Sequence, residues 1–197
     1  MVGPPGAWQP SAEFPLAFLS RHGLASHHRL LEIGCGVLRG GIHLIRYMDA
    51  GCYVGIDIRP EAINEAHREI ANHKLAAKNP VVFVTDNFGI DLFSSPQFDY
   101  VLAFQVFYHL QDNLVGDCLR ATAEYMRPGA TLYANVNVVQ EPGVWQEFPY
   151  VQRPLEFYES LCSGTRLEMN VLGQLAEFGY SNRLAGRTNH MLAFVKQ

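Results

Sequence analysis

No apolar run in the 197 residues comes near the roughly 18 needed to cross a bilayer, and the first 15 residues carry no basic stretch followed by an apolar one. Neither a membrane span nor an export leader is expected, and the cytoplasm is the expected location. Cysteine is sparse. Cys35, Cys52, Cys118 and Cys162 lie far apart, form no C-x-x-C pair and sit among apolar neighbours. That excludes a disulfide scaffold and a zinc cluster and predicts reduced, mostly buried thiols. The eight histidines match no metal-ligand spacing either, so no metal is expected. Charge of one sign is also lacking: 15 basic against 19 acidic residues leave a net charge of −4. Such a chain offers no general attraction for a polyphosphate backbone or an anionic membrane surface, and no nucleic-acid partner is expected. Internal repeats and low-complexity tracts are absent. What is present, 48% hydrophobic and 17% charged residues, is the composition of one ordinary globular domain spanning residues 1–197.

Short apolar runs at residues 29–33, 52–56, 81–85, 98–104, 130–138 and 190–195 read as strands. Each of the first four is followed by a patterned stretch able to form a helix or helical turn. The clearest helix covers residues 61–75, opened by Pro60 and carrying Ala62, Ile63, Ala66 and Ile70 on one stripe. A second covers residues 114–126 and stops before Pro128-Gly129. Residues 1–11 read as an irregular arm, followed by a short helix through Phe14, Leu16, Phe18 and Leu19; arm and helix together fill residues 1–28. Residues 140–165 read as an inserted loop rich in Pro, Gly and aromatics with a helix at 154–161, and a last helix is expected over 167–178. Strands alternating with helices of this length predict an α/β fold: a Rossmann-like, doubly wound, mainly parallel seven-stranded sheet with helices on both faces.

The most informative run is Leu30-Leu31-Glu32-Ile33-Gly34-Cys35-Gly36-Val37-Leu38-Arg39-Gly40-Gly41. A strand that ends in small residues and turns into a helix exposes backbone N–H groups to a ligand. A dinucleotide fingerprint requires G-x-G-x-x-G, and Arg39 stands where the third glycine belongs, which disfavours a nicotinamide-dependent oxidoreductase. The run instead resembles the first motif of class I S-adenosylmethionine-dependent methyltransferases, an acidic residue followed by G-x-G. The third glycine of that motif is Leu38 here, and Gly40-Gly41 arrive two residues late.

Further motifs follow in the order this resemblance requires, over residues 29–138. Tyr53-Val54-Gly55-Ile56-Asp57 ends a strand in an acid, implied to accept from both ribose hydroxyls of S-adenosylmethionine. Ile58 is implied to cover one adenine face, and Asp86 with Asn87, after the third strand, to meet the adenine amino group. Glu32, Gly34 and Gly36 are implied to face the methionine end, and Phe104 and Gln105, closing the fourth strand, to line the same site. Asp is also a preferred helix N-cap, so either acid alone fits a capping role.

The segment Phe104-Gln105-Val106-Phe107-Tyr108-His109-Leu110 lacks the Asn/Asp-Pro-Pro-aromatic signature of amino-methylating enzymes and the paired glutamates of protein arginine methyltransferases. It does carry His109, whose imidazole titrates near neutrality and suits a general base; binding substrate or satisfying a helix end is the other role open to it. Tyr108, Trp145 and Tyr150 are expected to contact an acceptor, with Phe148, Phe157 and Tyr158 as further lid aromatics. The resulting expectation is O-methylation of a small hydroxylated metabolite or saccharide. The alternative is an accessory protein that binds S-adenosylmethionine without catalysis.

Overall fold

Two strands, β1 (Leu30–Ile33) and β2 (Tyr53–Asp57), are buried along their whole length, so both faces of each must be covered. That is the situation of central strands in a parallel sheet. The computed structural model describes residues 8–89, 91–93, 95, 97–138, 151–180 and 189–197. It arranges β3 (Val81–Val84), β4 (Phe98–Ala103), β5 (Met126–Asn137), β6 (Leu167–Gln174) and β7 (Asn189–Lys196) with them in a seven-stranded sheet of order β3-β2-β1-β4-β5-β7-β6. The first five strands are parallel and the last two antiparallel to their neighbours.

Helices α1 (Trp8–Arg21), α2 (Gly41–Tyr47) and α3 (Pro60–Asn72) pack their apolar residues into the core on one face, with Phe18, Leu44 and Ala66 at its centre. The other face is covered by α4 (Asp112–Tyr125) and α5 (Leu155–Leu161), through Cys118, Leu119 and Tyr158. The Rossmann-like expectation therefore holds. The strand order reverses at β1, which pairs with β2 on one side and β4 on the other. Open α/β sheets bind ligands in the crevice outside the carboxyl ends at such a reversal, and this one lies between Gly34 and Phe104.

Two expectations are corrected. The arm expected over residues 1–11 is already helical from Trp8. Pro10 falls in the first turn of α1, where a missing N–H costs nothing. The helix expected over 167–178 is instead the sixth strand, β6, followed by a 3₁₀ turn Leu175–Phe178. Leu167, Val171, Leu175 and Phe178 mimic a helical stripe, but Leu167 and Met169 pack inward with a period of two and β6 pairs with β7 over most of its length. Val171 and Gly173 are poor helix formers, and the edge pairing decides the outcome.

Candidate active site

The turn after β1 keeps the shape of a glycine turn even where glycine is missing. Gly34, Gly36 and Leu38 all take positive φ, at 70°, 55° and 61°. Leu38 adopts the left-handed region although its side chain is wholly buried, which holds it there by packing rather than by conformational freedom. The late glycines serve neighbours. A Cβ on Gly40 would stand 2.9 Å from Pro15 of α1, and one on Gly41 would stand 2.6 Å from both Leu38 and the Tyr53 hydroxyl. Close helix packing thus explains Gly40-Gly41.

Gly34 is exposed at the floor of the crevice while its N–H donates to Ile56. A Cβ there would come within 2.6 Å of Val106. Gly34→Ala is therefore expected to lower stability by roughly 2–4 kcal/mol, from the left-handed conformation together with overpacking. Denaturant unfolding measures it; a loss under about 0.5 kcal/mol, the scale of ordinary surface substitutions, would mean that Val106 gives way freely.

Glu32 is buried beneath this turn, and the Tyr53 hydroxyl donates to its Oε2 at 2.5 Å. Burial pushes the Glu32 carboxyl up to about 7; the Tyr53 hydrogen bond opposes this and the Asp57 charge adds to it. Between its ordinary 4.5 and about 7 the folded protein thus binds a proton the unfolded chain has released. The contribution of Glu32 to stability falls as pH rises through that window, by on the order of 3 kcal/mol if the whole shift counts. Glu32→Gln is expected to flatten that fall and to make the ligand-free protein more stable than the parent at pH 8. Melting curves from pH 5 to 8 test this, and parallel curves for the two proteins would refute it.

Asp57, at the end of β2, is buried and fully engaged. Its Oδ2 accepts the Gly36 N–H at 2.9 Å and an Arg59 Nη at 3.4 Å. Its Oδ1 accepts the Arg59 backbone N–H at 3.0 Å and Nε at 3.1 Å. A Cβ on Gly36 would sit 3.5 Å from an Arg59 Nη and 4.0 Å from Asp57 Oδ2, so the missing side chain leaves room for the guanidinium over that carboxylate. Ile58 beside it is 64% exposed, which excludes the core role an apolar residue there usually takes. Asp86 is exposed as well. Asn87 is occupied in the turn: its Oδ1 accepts from Thr85 and from the Gly89 N–H, and its Nδ2 donates to Asp91.

Across the crevice, Phe104 stacks on Phe14 of α1 at 5.1 Å and meets Tyr180 edge-on at 5.4 Å. Gln105, with φ 60°, donates its backbone N–H to Asn135 and its side-chain amide to the Tyr180 hydroxyl. The 3₁₀ turn Phe107–His109 then lifts His109 to the surface, its ring 4.4 Å from that of the buried Tyr108. This turn is anchored by Arg153. The arginine is 3% exposed and donates to the carbonyls of Phe107 and Leu110 and to Asp112, while the Val151 N–H donates to the Tyr108 carbonyl. Arg39 is half-buried; burial pushes its pKa down, and the nearby phenols of Tyr180 and Tyr108 push it back up. The glycine turn and the two tyrosines thereby share one end of the crevice.

The structure thus brings Glu32, Gly34, Gly36, Asp57 and Ile58 to one half of the crevice and Phe104, Gln105, Tyr108 and His109 to the other. Trp145 and Tyr150, with Phe148, lie outside the described residues. Phe157 and Tyr158 lie on α5 and pack into or against the core rather than forming a lid, Tyr158 being wholly buried. Sequence reasoning missed Tyr53, Arg59, Asn135, Tyr180 and Arg153. Only Arg59 left a signal, a cation two residues after Asp57. The others depend on pairings between distant segments. Among the described residues no group of three or more His, Cys, Asp or Glu side chains is placed to hold a metal.

Comparison with known families decides what this crevice belongs to. Residues 31–132, just over half the chain, match the family model of the methyltransferase domain. The chain is a class I S-adenosylmethionine-dependent methyltransferase. No curated protein matches it significantly in sequence. The methyltransferase superposes on the magnesium protoporphyrin IX methyltransferase ChlM of Synechocystis PCC 6803, solved with bound S-adenosylmethionine, with a TM-score of 0.71 at 15% identity, over 96% of this chain and 79% of that one. It superposes on geranyl diphosphate C-methyltransferase of Streptomyces coelicolor A3(2), with a TM-score of 0.71 at 10% identity over 94% and 77% of the two chains. It likewise superposes on phosphoethanolamine N-methyltransferase 2 of Haemonchus contortus, with a TM-score of 0.69 at 19% identity over 92% and 51%. At these identities the likeness establishes the fold, and the different acceptors leave this methyltransferase's own acceptor to its own residues.

Proposed function

We propose that this methyltransferase methylates a hydroxyl oxygen of a small hydroxylated molecule, such as a saccharide or polyketide-like metabolite, with His109 as general base. The observation that carries the reading is the anchored 3₁₀ turn at the carboxyl end of β4, which presents His109 beside Tyr108 and just past Gln105. S-adenosylmethionine supplies a methyl group already activated on a positively charged sulfur. The protein's tasks are therefore to hold, align and deprotonate, and to keep water away.

In this reading Asp57 accepts from the ribose hydroxyls beside Gly36 once the Arg59 guanidinium has moved off the carboxylate. Exposed Ile58 lies against one adenine face and Asp86 accepts from the adenine amino group, with Asn87 shaping that turn. The exposed backbone at Gly34 lets the methionine end approach, with Glu32 behind it. Phe104 and Gln105 border the transferred methyl. Tyr108, with Trp145 and Tyr150 from the 140–165 insertion, contacts the acceptor, and His109 takes its proton as the oxygen attacks. Residues 1–197 act as one methyltransferase domain in this account, and the described residues add little beyond the sheet and its helices, which favours a small acceptor over a protein. Four unpaired cysteines support a reducing compartment, the cytoplasm. A transfer assay with methyl-labelled S-adenosylmethionine tests the reading: label recovered as a methyl ether supports it, and label recovered on nitrogen or carbon overturns it.

A further inference from the structure

The ends of β5 and β7 carry three asparagines where apolar residues are the rule. Asn135, Asn137 and Asn189 are all buried, on strands otherwise filled by residues such as Tyr133, Ala134, Val136, Met191 and Leu192. Asparagine is a poor strand former, and a buried carboxamide keeps its place only when its donors and acceptor are met. Alternation puts Asn135 and Asn137 on one face of β5, and Asn189 stands directly opposite Asn137 in the ladder. This is the face on which Asn135 meets Gln105 at the crevice.

Two of the three are accounted for. Asn135 Oδ1 accepts the Gln105 N–H, Asn135 Nδ2 donates to Asn189 Oδ1 at 3.1 Å, and Gln105 in turn donates to Tyr180. Asn137 breaks the pattern. It is wholly buried, yet among the described residues neither its Nδ2 nor its Oδ1 has a hydrogen-bond partner. Its backbone carbonyl accepts the N–H of Arg153, the residue that anchors the His109 turn, so the end of β5 is tied to that turn while the carboxamide shares the face of Asn135. An unmet amide there is a standing cost that a structural role does not repay, and positions that break a local rule in this way are expected at functional sites.

We propose that the Asn137 carboxamide is a binding group for the acceptor, taking a neutral group that both donates and accepts hydrogen bonds, next to the oxygen that is methylated. A vicinal hydroxyl of a polyol or sugar has that character: its oxygen accepts from Nδ2 while its hydrogen is donated to Oδ1. A carboxylate or phosphate lacks the donor, and Asn137 gives it no charge. This deepens the reading of the acceptor as a hydroxylated small molecule and rests on it.

The test compares parent, Asn137→Leu and Asn137→Ala by melting temperature, alone, with S-adenosylhomocysteine, and with S-adenosylhomocysteine plus a panel of methyl glycosides. Leucine has nearly the shape of asparagine without the unmet groups. Asn137→Leu is therefore expected to melt about 2–4 °C above the parent when ligand-free. It should gain as much as the parent from S-adenosylhomocysteine and lose the further rise that a glycoside gives the parent complex. Should the leucine variant not fold, loss of the glycoside rise in Asn137→Ala carries the same weight. A lower melting point for folded Asn137→Leu, equal glycoside shifts in parent and variants, or no glycoside shift in the parent overturns the proposal. Failure of S-adenosylhomocysteine to stabilise the parent overturns the underlying reading instead.

Discussion

Replacing His109 by asparagine is expected to lower turnover by on the order of 10²- to 10⁴-fold while leaving cofactor affinity within about twofold, because what is lost is a proton acceptor and not a binding group. The parent's turnover should rise with pH as the imidazole loses its proton, and the asparagine variant should lose that limb of the profile. The anchoring of the turn makes the comparison clean. Arg153 holds the carbonyls of Phe107 and Leu110 on either side, and the His109 backbone N–H donates to Val106, so a shortened side chain leaves the backbone in place. A histidine that only bound substrate would instead place most of the loss in the Michaelis constant. An asparagine variant within about tenfold of the parent, with the same ionisation in its profile, would exclude the base role.

Asp57→Ala is expected to weaken cofactor binding by about 1.5–3 kcal/mol, the range for hydrogen bonds to a charged acceptor. In the ligand-free protein, however, the carboxylate already accepts four contacts, three of them from Arg59. Two ribose hydroxyls can be accommodated only if the guanidinium swings away, and the Arg59 side chain is half exposed, so water can take it over. Arg59→Ala should therefore bind S-adenosylhomocysteine as tightly as the parent or up to roughly fivefold more tightly, since the pair it breaks is worth at most about 1 kcal/mol when partly solvated. Calorimetric titration of both variants checks the pair. Unchanged affinity in folded Asp57→Ala would remove the ribose role, and a large loss in Arg59→Ala would make the arginine a ligand-holding group in its own right.

How far such a site can be read from the chain depends on whether its parts are local. Asp57 and Glu32 were readable because each ends or nearly ends a buried apolar run, and the ladder then places them on neighbouring strands. The left-handed Leu38 was not, since nothing in a leucine announces a positive φ; the packing that imposes it comes from elements distant in sequence. The same holds for Arg153 and for Asn135 with Tyr180, whose partners lie 30 or more residues away. β6 was misread for a related reason. Its apolar spacing fits a helix as well as a strand, and only the presence of β7 beside it settles which is formed.

The central claim is that the crevice between β1 and β4 holds S-adenosylmethionine with Asp57 as its ribose acceptor. Calorimetric titration of S-adenosylhomocysteine into the folded parent and into Asp57→Ala measures it most directly. The account predicts saturable binding at one site per chain in the parent, an affinity lower by about ten- to a hundredfold in the variant, and no binding of NAD to either. A folded parent that takes up NAD and leaves S-adenosylhomocysteine unbound would contradict it.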